Sequence, residues 1–208
     1  MARARRAIAA IALIPALLAG GCGDTRSLPR LDDDARILAF GDSLTHGTGA
    51  SPHTSYPAAL ERAIDREVIR SGVPGERAAA GRQRLPRVLE RVRPDLLVLC
   101  HGGNDILQGT EPAVIEVELL AMIDSARRRD IPVVLVGVPA RSLFTGTADL
   151  YYRVAERAGV ALEDEALETI IDDPALRSDA VHPNARGYRR MASAVRDLLV
   201  RAGALAGG

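Results

Sequence analysis

The sequence predicts one α/β domain, a three-layer α/β/α sandwich in which helices cover both faces of a parallel β-sheet. Two observations carry this prediction. Short, continuously apolar runs recur along the chain, as expected for strands that are buried on both faces. Between these runs lie segments whose apolar residues recur at helical spacing. The expected domain covers residues 36–203, and a chain of 208 residues is long enough to bury a proper core.

The first half of the domain is expected to contain two strands and two helices. Residues 36–41 form an apolar run that ends at a glycine, which is typical of a buried strand. Residues 57–67 carry apolar side chains at helical spacing, and residues 68–69 follow as a short second strand. A helix is predicted within 78–93, and Pro86 places its start near that residue, because proline lacks the N–H that a helix interior needs.

The second half repeats the alternation and ends in a helix. Thr110 is predicted to cap a long helix that ends at Arg129, where consecutive arginines suit the negative end of the helix dipole. Asn184 is predicted to cap the last helix, which is expected to run to residue 202. The remaining elements are predicted as strands at 95–100, 131–138 and 160–162 and as a helix at 148–158.

Residues 1–21 are expected to be a signal peptide of the lipoprotein type. Arginines near the start precede an apolar run at 7–19, which is short for a membrane span. Small residues then lead to Cys22, the expected lipidation site. The leucine that usually stands three positions before such a cysteine lies one position too early, so an ordinary cleaved signal is the alternative. Both readings predict export to the cell envelope or periplasm, and lipidation predicts anchoring to the membrane.

The segments that flank the domain are expected to contribute little to its core. Residues 22–35 are polar and include an acidic run, so they are predicted to be a tether, and residues 204–208 are predicted to be a tail. Cys100 ends an apolar run, which favours a buried small side chain over a nucleophile.

Composition excludes several classes of function. The chain carries 27 basic and 27 acidic residues, which argues against binding nucleic acid by bulk charge. Every basic residue is an arginine, so a Schiff-base lysine and a phosphate-binding P-loop lysine are both excluded. Aromatic residues make up 3% of the chain and tryptophan is absent, so a stacking platform for bases or sugars is not expected.

Chemically useful residues follow the predicted strands. Ser43 comes directly after the first strand, Gly75 after the second and Asn104 after the third, while Asp179 and His182 precede the last helix. In open parallel sheets, functional sites lie at the carboxyl ends of the strands. The sequence therefore predicts that these five residues meet at one edge of the sheet.

The residue types suit nucleophilic catalysis. A serine hydroxyl needs a base to remove its proton, and the imidazole of His182 has a suitable pKa range. A carboxylate three residues earlier, Asp179, can accept a hydrogen bond from the imidazole and fix its tautomer. The backbone N–H groups of Ser43 and Gly75 and the Asn104 amide are candidate oxyanion donors. An isolated serine after a strand more often only closes a turn, so the prediction depends on the whole set.

Four sequence blocks, in this order, resemble those of the SGNH hydrolases, also called the GDSL esterase/lipase family. They are Gly-Asp-Ser-Leu at 41–44, the glycine block at 73–76, Gly-Asn-Asp at 103–105 and Asp-x-x-His-Pro at 179–183. In the glycine block, Gly72 competes with Gly75, and Gly75 is preferred because Glu76 follows it. The chain looks most like the bacterial arylesterases and the thioesterase I/lysophospholipase group.

The resemblance implies a flavodoxin-like fold with a five-stranded parallel sheet. It implies Ser43 as the nucleophile, with Asp179 and His182 completing a catalytic triad. It also implies Gly75 and Asn104 as oxyanion donors, beside the Ser43 N–H. No cofactor and no metal are implied.

The expected function is that of a serine esterase acting on small aryl or acyl esters or thioesters, as a monomer. Substrate contacts are expected from Leu107, Arg141, Leu143 and Phe144, because these residues follow the third and fourth strands. His101 is expected beside the site but not as a base.

Two alternatives stay open. The same site could remove O-acetyl groups from carbohydrates, or the domain could be a non-catalytic module that binds envelope lipids. Asp42 and Asp105 flank the site and are expected to hold loops through hydrogen bonds rather than to react.

Overall fold

The computed structural model describes residues 26–140 and 146–207. The predicted signal peptide and Cys22 lie outside the described residues, as do Arg141, Leu143 and Phe144. The described chain contains one five-stranded sheet in the order β2-β1-β3-β4-β5, and all neighbouring strands are parallel. The strands are β1 Ile37–Gly41, β2 Val68–Gly72, β3 Leu96–Cys100, β4 Val133–Val136 and β5 Ala161–Glu163.

Helices pack on both faces of this sheet, which confirms the predicted three-layer fold. They are α1 Ser43–His46, α2 Tyr56–Ile64, α3 Ala78–Val92, α4 Gly103–Leu107, α5 Pro112–Arg127, α6 Asp149–Ala158, α7 Ala166–Asp172 and α8 Ala185–Arg201, with a short 3₁₀ turn at Pro52–Thr54.

Alternation along each strand divides the core into two halves. In β1, Ile37 and Ala39 pack with apolar residues of α2, α7 and α8, whereas Leu38 and Phe40 pack with those of α3, α5 and α6. Successive strand residues point to opposite faces, so a sheet that is covered on both sides needs apolar residues at every position. All five residues of β1 and all five of β3 are buried.

Of three helix starts for which the sequence predicted a cap or a boundary, two differ from the expectation and one agrees with it. Helix α3 begins at Ala78, and Pro86 lies inside it. Proline removes one hydrogen bond there, but the apolar face that includes Leu85 and Leu89 is almost completely buried, and this packing outweighs the loss. Helix α5 has Glu111 rather than Thr110 at its N-cap, followed by Pro112 in the first turn. Asn184 caps α8 as predicted, because its side chain accepts from the N–H groups of the first turn.

The described part of the predicted tether is packed on the domain, and that prediction is wrong for residues 28–35. The Leu28 N–H donates to the Ala202 carbonyl at 2.8 Å, and the Leu31 N–H donates to the Ala204 carbonyl at 2.9 Å. Leu31 is only 5% exposed. The first two residues of the predicted tail, Ala204 and Leu205, are also buried in the core. These few apolar residues stand among polar neighbours, so no apolar run marks them in the sequence.

Helix α7 was not predicted. It is seven residues long and begins after the carboxylate of Glu163, whose Oε1 accepts from the Ala166 N–H at 3.0 Å. Leu167 and Ile170 are buried against the α2–α8 side of the sheet. This helix places residues beside the predicted site, as described below.

Cys100 is fully buried in the core, as predicted, and burial raises the pKa of its thiol well above the usual value. Within residues 26–140 and 146–207, the helices are all too short or too polar to cross a membrane.

Candidate active site

The candidate nucleophile, Ser43, lies where β1 ends and the short helix α1 begins. Asp42 caps this helix, with its Oδ1 accepting from the Leu44 N–H at 3.1 Å. Gly41 is required just before this turn, because a Cβ there would clash with the carbonyl oxygen of Cys100 on β3. The strand and the cap together hold Ser43 at the carboxyl edge of the sheet.

Ser43, His182 and Asp179 form a continuous hydrogen-bonded chain. The Ser43 Oγ lies 3.0 Å from the His182 Nε2, and the His182 Nδ1 lies 2.7 Å from the Asp179 Oδ2. The other oxygen of Asp179 accepts from the N–H groups of Val181 and His182, at 2.8 Å each. The Asp-x-x-His spacing therefore forms one turn, as the sequence predicted, although Ser43 lies 139 residues away from His182 in the chain.

The charge on Asp179 favours one imidazole tautomer. Burial alone would raise the pKa of Asp179, but hydrogen bonds from the Val181 N–H, the imidazole and the His182 N–H lower it overall. An ionised Asp179 can only accept a hydrogen bond, so the imidazole proton lies on Nδ1. The lone pair on Nε2 then faces the Ser43 hydroxyl, which is the arrangement that a general base requires.

Asn104 lies in the first turn of α4 and is held by two acceptors. Its Nδ2 donates to the backbone carbonyl of Glu76 at 3.0 Å and to the Asp42 Oδ2 at 3.2 Å. Both amide hydrogens are thus engaged in this structure. Donation to an oxyanion would take a hydrogen from the longer of these bonds, the one to Asp42, while the bond to Glu76 keeps the amide in place.

The structure separates the two candidate glycines. Gly72 pairs with Gly41 in the sheet, and a Cβ there would clash with the backbone of α1 at His46, so Gly72 is required for packing. Gly75 has a φ of 78°, which favours glycine, and a Cβ there would meet no atom within 4 Å. Its turn leads directly to Glu76, the residue bonded to Asn104. However, Gly75 is not one of the described residues that line the cavity beside Ser43.

Asp42 and Asp105 hold loops, as predicted from the sequence. Asp42 bonds to Leu44 and Asn104, as described above. Asp105 accepts from the Ala78 N–H at 2.7 Å, which ties α4 to the start of α3. Burial raises the pKa of Asp42, although the hydrogen bond from the Leu44 N–H partly opposes this shift.

A cavity of about 640 Å³ opens beside Ser43 and His182. Leu107 lines it, as expected for a substrate-binding residue, and remains 46% exposed. Helix α7 contributes Glu168, Ile171 and Asp172 to its wall, and Arg177 lies on the same side. Sequence reasoning missed this wall, although the apolar spacing within 166–171 is a signal that could have revealed α7. The other apolar lining residues are Leu44, Ile106, Val138, Pro139, Ala140, Ala180 and Val181.

His101 does not line the cavity and is fully buried. Its ring lies within hydrogen-bonding distance of Glu76, a residue that sequence reasoning did not assign to the site. Among the described residues, no cluster of three or more His, Cys, Asp or Glu side chains could hold a metal ion.

The sequence was also compared with known proteins. Residues 39–190 match the model of the GDSL-like lipase/acylhydrolase family, which covers the serine turn, Asn104 and the Asp179–His182 turn. The chain belongs to this family. The membership agrees with the resemblance noted in the sequence and makes the protein a hydrolase of the GDSL/SGNH type.

Several esterases are similar to the chain over most of their length. An arylesterase of Vibrio mimicus is 31% identical over 177 residues, which are 80% of this chain and 88% of that protein. Esterase TesA of Pseudomonas aeruginosa is 27% identical over 187 residues, or 85% and 93% of the two chains. The crystal structure of AlinE4, an SGNH-hydrolase family esterase, matches with a TM-score of 0.65 and 36% identity, covering 83% of this chain and 98% of that one.

Proposed function

We propose that the protein is a serine esterase that hydrolyses small aryl or acyl esters, or thioesters, through an acyl-enzyme formed on Ser43. The observation that carries this proposal is the chain of hydrogen bonds from Ser43 through His182 to Asp179. The esterase relatives support the same reaction class.

The proposed reaction has two steps. The Ser43 Oγ attacks the carbonyl carbon while its proton passes to the His182 Nε2, and the resulting imidazolium is stabilised by the carboxylate of Asp179. The tetrahedral intermediate collapses, and the departing alcohol or thiol takes the proton from His182. Water then attacks the acyl group on Ser43, and its proton passes to the His182 Nε2. The second tetrahedral intermediate collapses, the Ser43 oxygen takes the proton back from His182, and the acid is released.

Backbone and side-chain N–H groups stabilise the negative oxygen of both tetrahedral intermediates in this proposal. The candidate donors are the N–H of Ser43 at the start of α1, the N–H of Gly75 and the amide of Asn104. Such donors act because they already point to the place where charge develops. Ser43 and Asn104 are better supported than Gly75, since both line the cavity and Gly75 is not among its described lining residues.

The cavity supports acyl or aryl groups of short to medium length. Its volume is about 640 Å³, and most of its lining residues are apolar. Glu168, Asp172 and Arg177 add charged groups to one wall, and carboxylates and guanidinium groups bond well to hydroxyls. This wall favours carbohydrate O-acetyl esters as the second candidate substrate class.

Replacement of the nucleophile tests the reaction. Ser43→Ala should abolish hydrolysis of p-nitrophenyl acetate, and a fluorophosphonate probe should label the wild-type protein at Ser43 only. Ser193→Ala, an exposed serine on α8, is the matched control and should retain full activity and labelling. Undiminished turnover by folded Ser43→Ala would contradict the assignment of Ser43 as the nucleophile. A wild-type protein that the probe does not label would support the non-catalytic alternative.

A substrate panel separates the ester classes. Initial rates should be compared on p-nitrophenyl acetate, longer p-nitrophenyl esters, an acyl thioester and an acetylated xylan. Higher kcat/KM on aryl and short acyl esters supports the first candidate, and higher kcat/KM on the glycan supports the second.

We also propose that the protein is exported and anchored through Cys22. The basic start, the short apolar run and the small residues before Cys22 support this proposal. Labelled palmitate should be incorporated into the wild-type chain expressed in a bacterial host and not into Cys22→Ala. Equal labelling of both chains would contradict lipidation at this residue.

A further inference from the structure

A second cluster of charged groups lies behind the candidate site, on the loop that follows β2. The carboxylate of Glu76 accepts from the Arg84 Nε at 2.8 Å and from the Arg84 Nη2 at 2.6 Å. The His101 Nε2 lies 3.1 Å from the same carboxylate. The Glu76 side chain is only 8% exposed and the His101 side chain is fully buried. The proposed reaction uses none of these groups directly.

The hydrogen bonds of His101 exclude it as a base. The Gly102 N–H donates to the His101 Nδ1 at 3.0 Å. Nδ1 therefore carries no proton, and its lone pair is already used in this hydrogen bond. The proton must then lie on Nε2, which donates to Glu76. Helix α3 fits around the ring, because a Cβ at Gly81 would clash with the His101 Nε2. His101 is therefore a fixed donor that holds one oxygen of Glu76.

Arg84 connects this carboxylate to the ends of two strands. Its Nη2 lies 3.2 Å from the carbonyl oxygen of Gly41, at the end of β1, and its Nη1 donates to the Ser71 Oγ at 2.8 Å. The guanidinium also lies over the ring of Phe40, with the Cζ atom 4.0 Å from the ring centroid. The planar fork of arginine makes all these contacts at once, which a lysine could not do.

The backbone of Glu76 connects the cluster to the reacting region. Its carbonyl oxygen accepts from Asn104 at 3.0 Å, and Gly75, another candidate oxyanion donor, directly precedes it. Gly41, which Arg84 contacts, is two residues before the nucleophile. One arginine thus fixes the relative positions of the segments that carry Ser43, Gly75 and Asn104.

From this geometry we propose that Arg84 and Glu76 are positioning residues, which set the distance between the nucleophile and the oxyanion donors. The inference rests on the proposed esterase function. Buried ion pairs contribute little net stability, because desolvation offsets their attraction, so the geometry they impose is the expected benefit of this pair. A displacement of about 1 Å in such a site typically lowers the rate by about 10²-fold.

Arg84→Lys is the main test, because it keeps the charge and loses the fork. We expect kcat on p-nitrophenyl acetate to fall by about 10- to 100-fold while KM changes less than about threefold, since the oxyanion forms only in the transition state. The affinity for an arylboronic acid, which forms a tetrahedral adduct with serine, should fall by a similar factor.

Arg153→Lys is the matched control. Arg153 also bonds to a carboxylate, with its Nε 2.8 Å from the Glu116 Oε1, but this pair joins α5 and α6 away from the cavity. The control should lose comparable stability at most and keep its kcat.

Glu76→Gln tests the same positioning role if Arg84→Lys does not fold. It keeps the shape of the side chain, removes the charge and should show the same fall in kcat at nearly constant KM. The proposal is overturned if a folded variant has the kcat of the Arg153→Lys control, if only KM changes, or if both variants fail to fold while the control folds. Activity that persists in Ser43→Ala would instead overturn the esterase mechanism on which the inference rests.

Discussion

Two histidine–carboxylate pairs lie near the carboxyl edge of the sheet, and they differ in what the second ring nitrogen meets. In His182, Nδ1 lies 2.7 Å from Asp179 and Nε2 lies 3.0 Å from the Ser43 hydroxyl. In His101, Nε2 lies 3.1 Å from Glu76 and Nδ1 accepts from a backbone N–H at 3.0 Å. The first ring has a lone pair directed at a hydroxyl, and the second has none available.

The two pairs also differ in exposure. The side chains of His182 and Asp179 are 20% and 53% exposed, whereas those of His101 and Glu76 are 0% and 8% exposed. An exposed rim gives a substrate access to His182, and burial makes His101 part of the support. A histidine beside a carboxylate is therefore not enough to define a base. The partner of the second nitrogen and access to the cavity decide its role.

Replacing each histidine in turn gives the largest expected contrast. His182→Gln should lower kcat by about 10⁴-fold or more, because the general base is lost. His101→Gln should lower kcat by less than about tenfold, because glutamine can still donate to Glu76 and Ser43 keeps its base. The measurement is kcat on p-nitrophenyl acetate for both folded variants. Similar losses of kcat in the two variants would contradict the assignment of His182 as the base and of His101 as a buried donor to Glu76.

Removing the charge from the exposed carboxylate should give the next largest effect. Asp179→Asn should lower kcat by up to about 10⁴-fold at neutral pH, because an amide can donate to the imidazole and favour the wrong tautomer. Asp173→Asn provides a control, since Asp173 is an exposed aspartate whose side chain accepts from the nearby Ala175 N–H. An Asp179→Asn enzyme as fast as this control would remove Asp179 from the proposed mechanism.

The third test replaces Asn104, whose amide bonds to the Glu76 carbonyl and lines the cavity beside Ser43. Asn104→Ala should lower kcat by about 10²-fold with little change in KM, the usual cost of losing one oxyanion donor. The hydrogen bond that Asn104 donates to the Glu76 carbonyl holds the amide in place. The double variant Asn104→Ala, Glu76→Gln should therefore lose little more activity than Asn104→Ala alone. Fully additive losses would mean that Glu76 acts through some other residue.

The smallest expected effect is on stability and concerns the buried carboxylate. Burial would raise the pKa of Glu76, but the hydrogen bonds from His101 and Arg84 lower it to about 2. A carboxylate with a lowered pKa stabilises the fold above its ordinary value of 4.5, and this contribution is lost as the pH falls to about 2.

Urea unfolding at a series of pH values measures this contribution. Between about pH 5 and pH 2, the wild type should lose on the order of 3 kcal/mol more unfolding free energy than Glu76→Gln. Parallel pH profiles for the two proteins would show that the pKa of Glu76 is not lowered in the folded state.

Local sequence signals were sufficient for most of the fold and for three site residues. Apolar runs predicted β1, β3 and β4, because a strand buried on both faces is apolar throughout. Asp179 and His182 could be paired from their spacing, since one turn joins them. Ser43 could be placed because a strand that ends in a capped turn fixes where its serine lies.

Other features depend on contacts that no local pattern encodes. The packing of Leu28 and Leu31 on the end of α8 overrode a polar composition that predicted a tether. The buried face of α3 overrode the signal from Pro86. The packing of α1 against Gly72, which gives this glycine a structural role, depends on a contact that the sequence does not show.

The sequence by itself determined the fold class, the order of the site residues along the chain and the chemistry that they suit, because these follow from residue type and spacing. Only the tertiary structure showed what the two histidines contact, with His182 facing the serine and His101 fully buried against Glu76. That difference depends on partners as distant as Ser43 for His182 and Glu76 for His101, and on the burial that the packed helices impose.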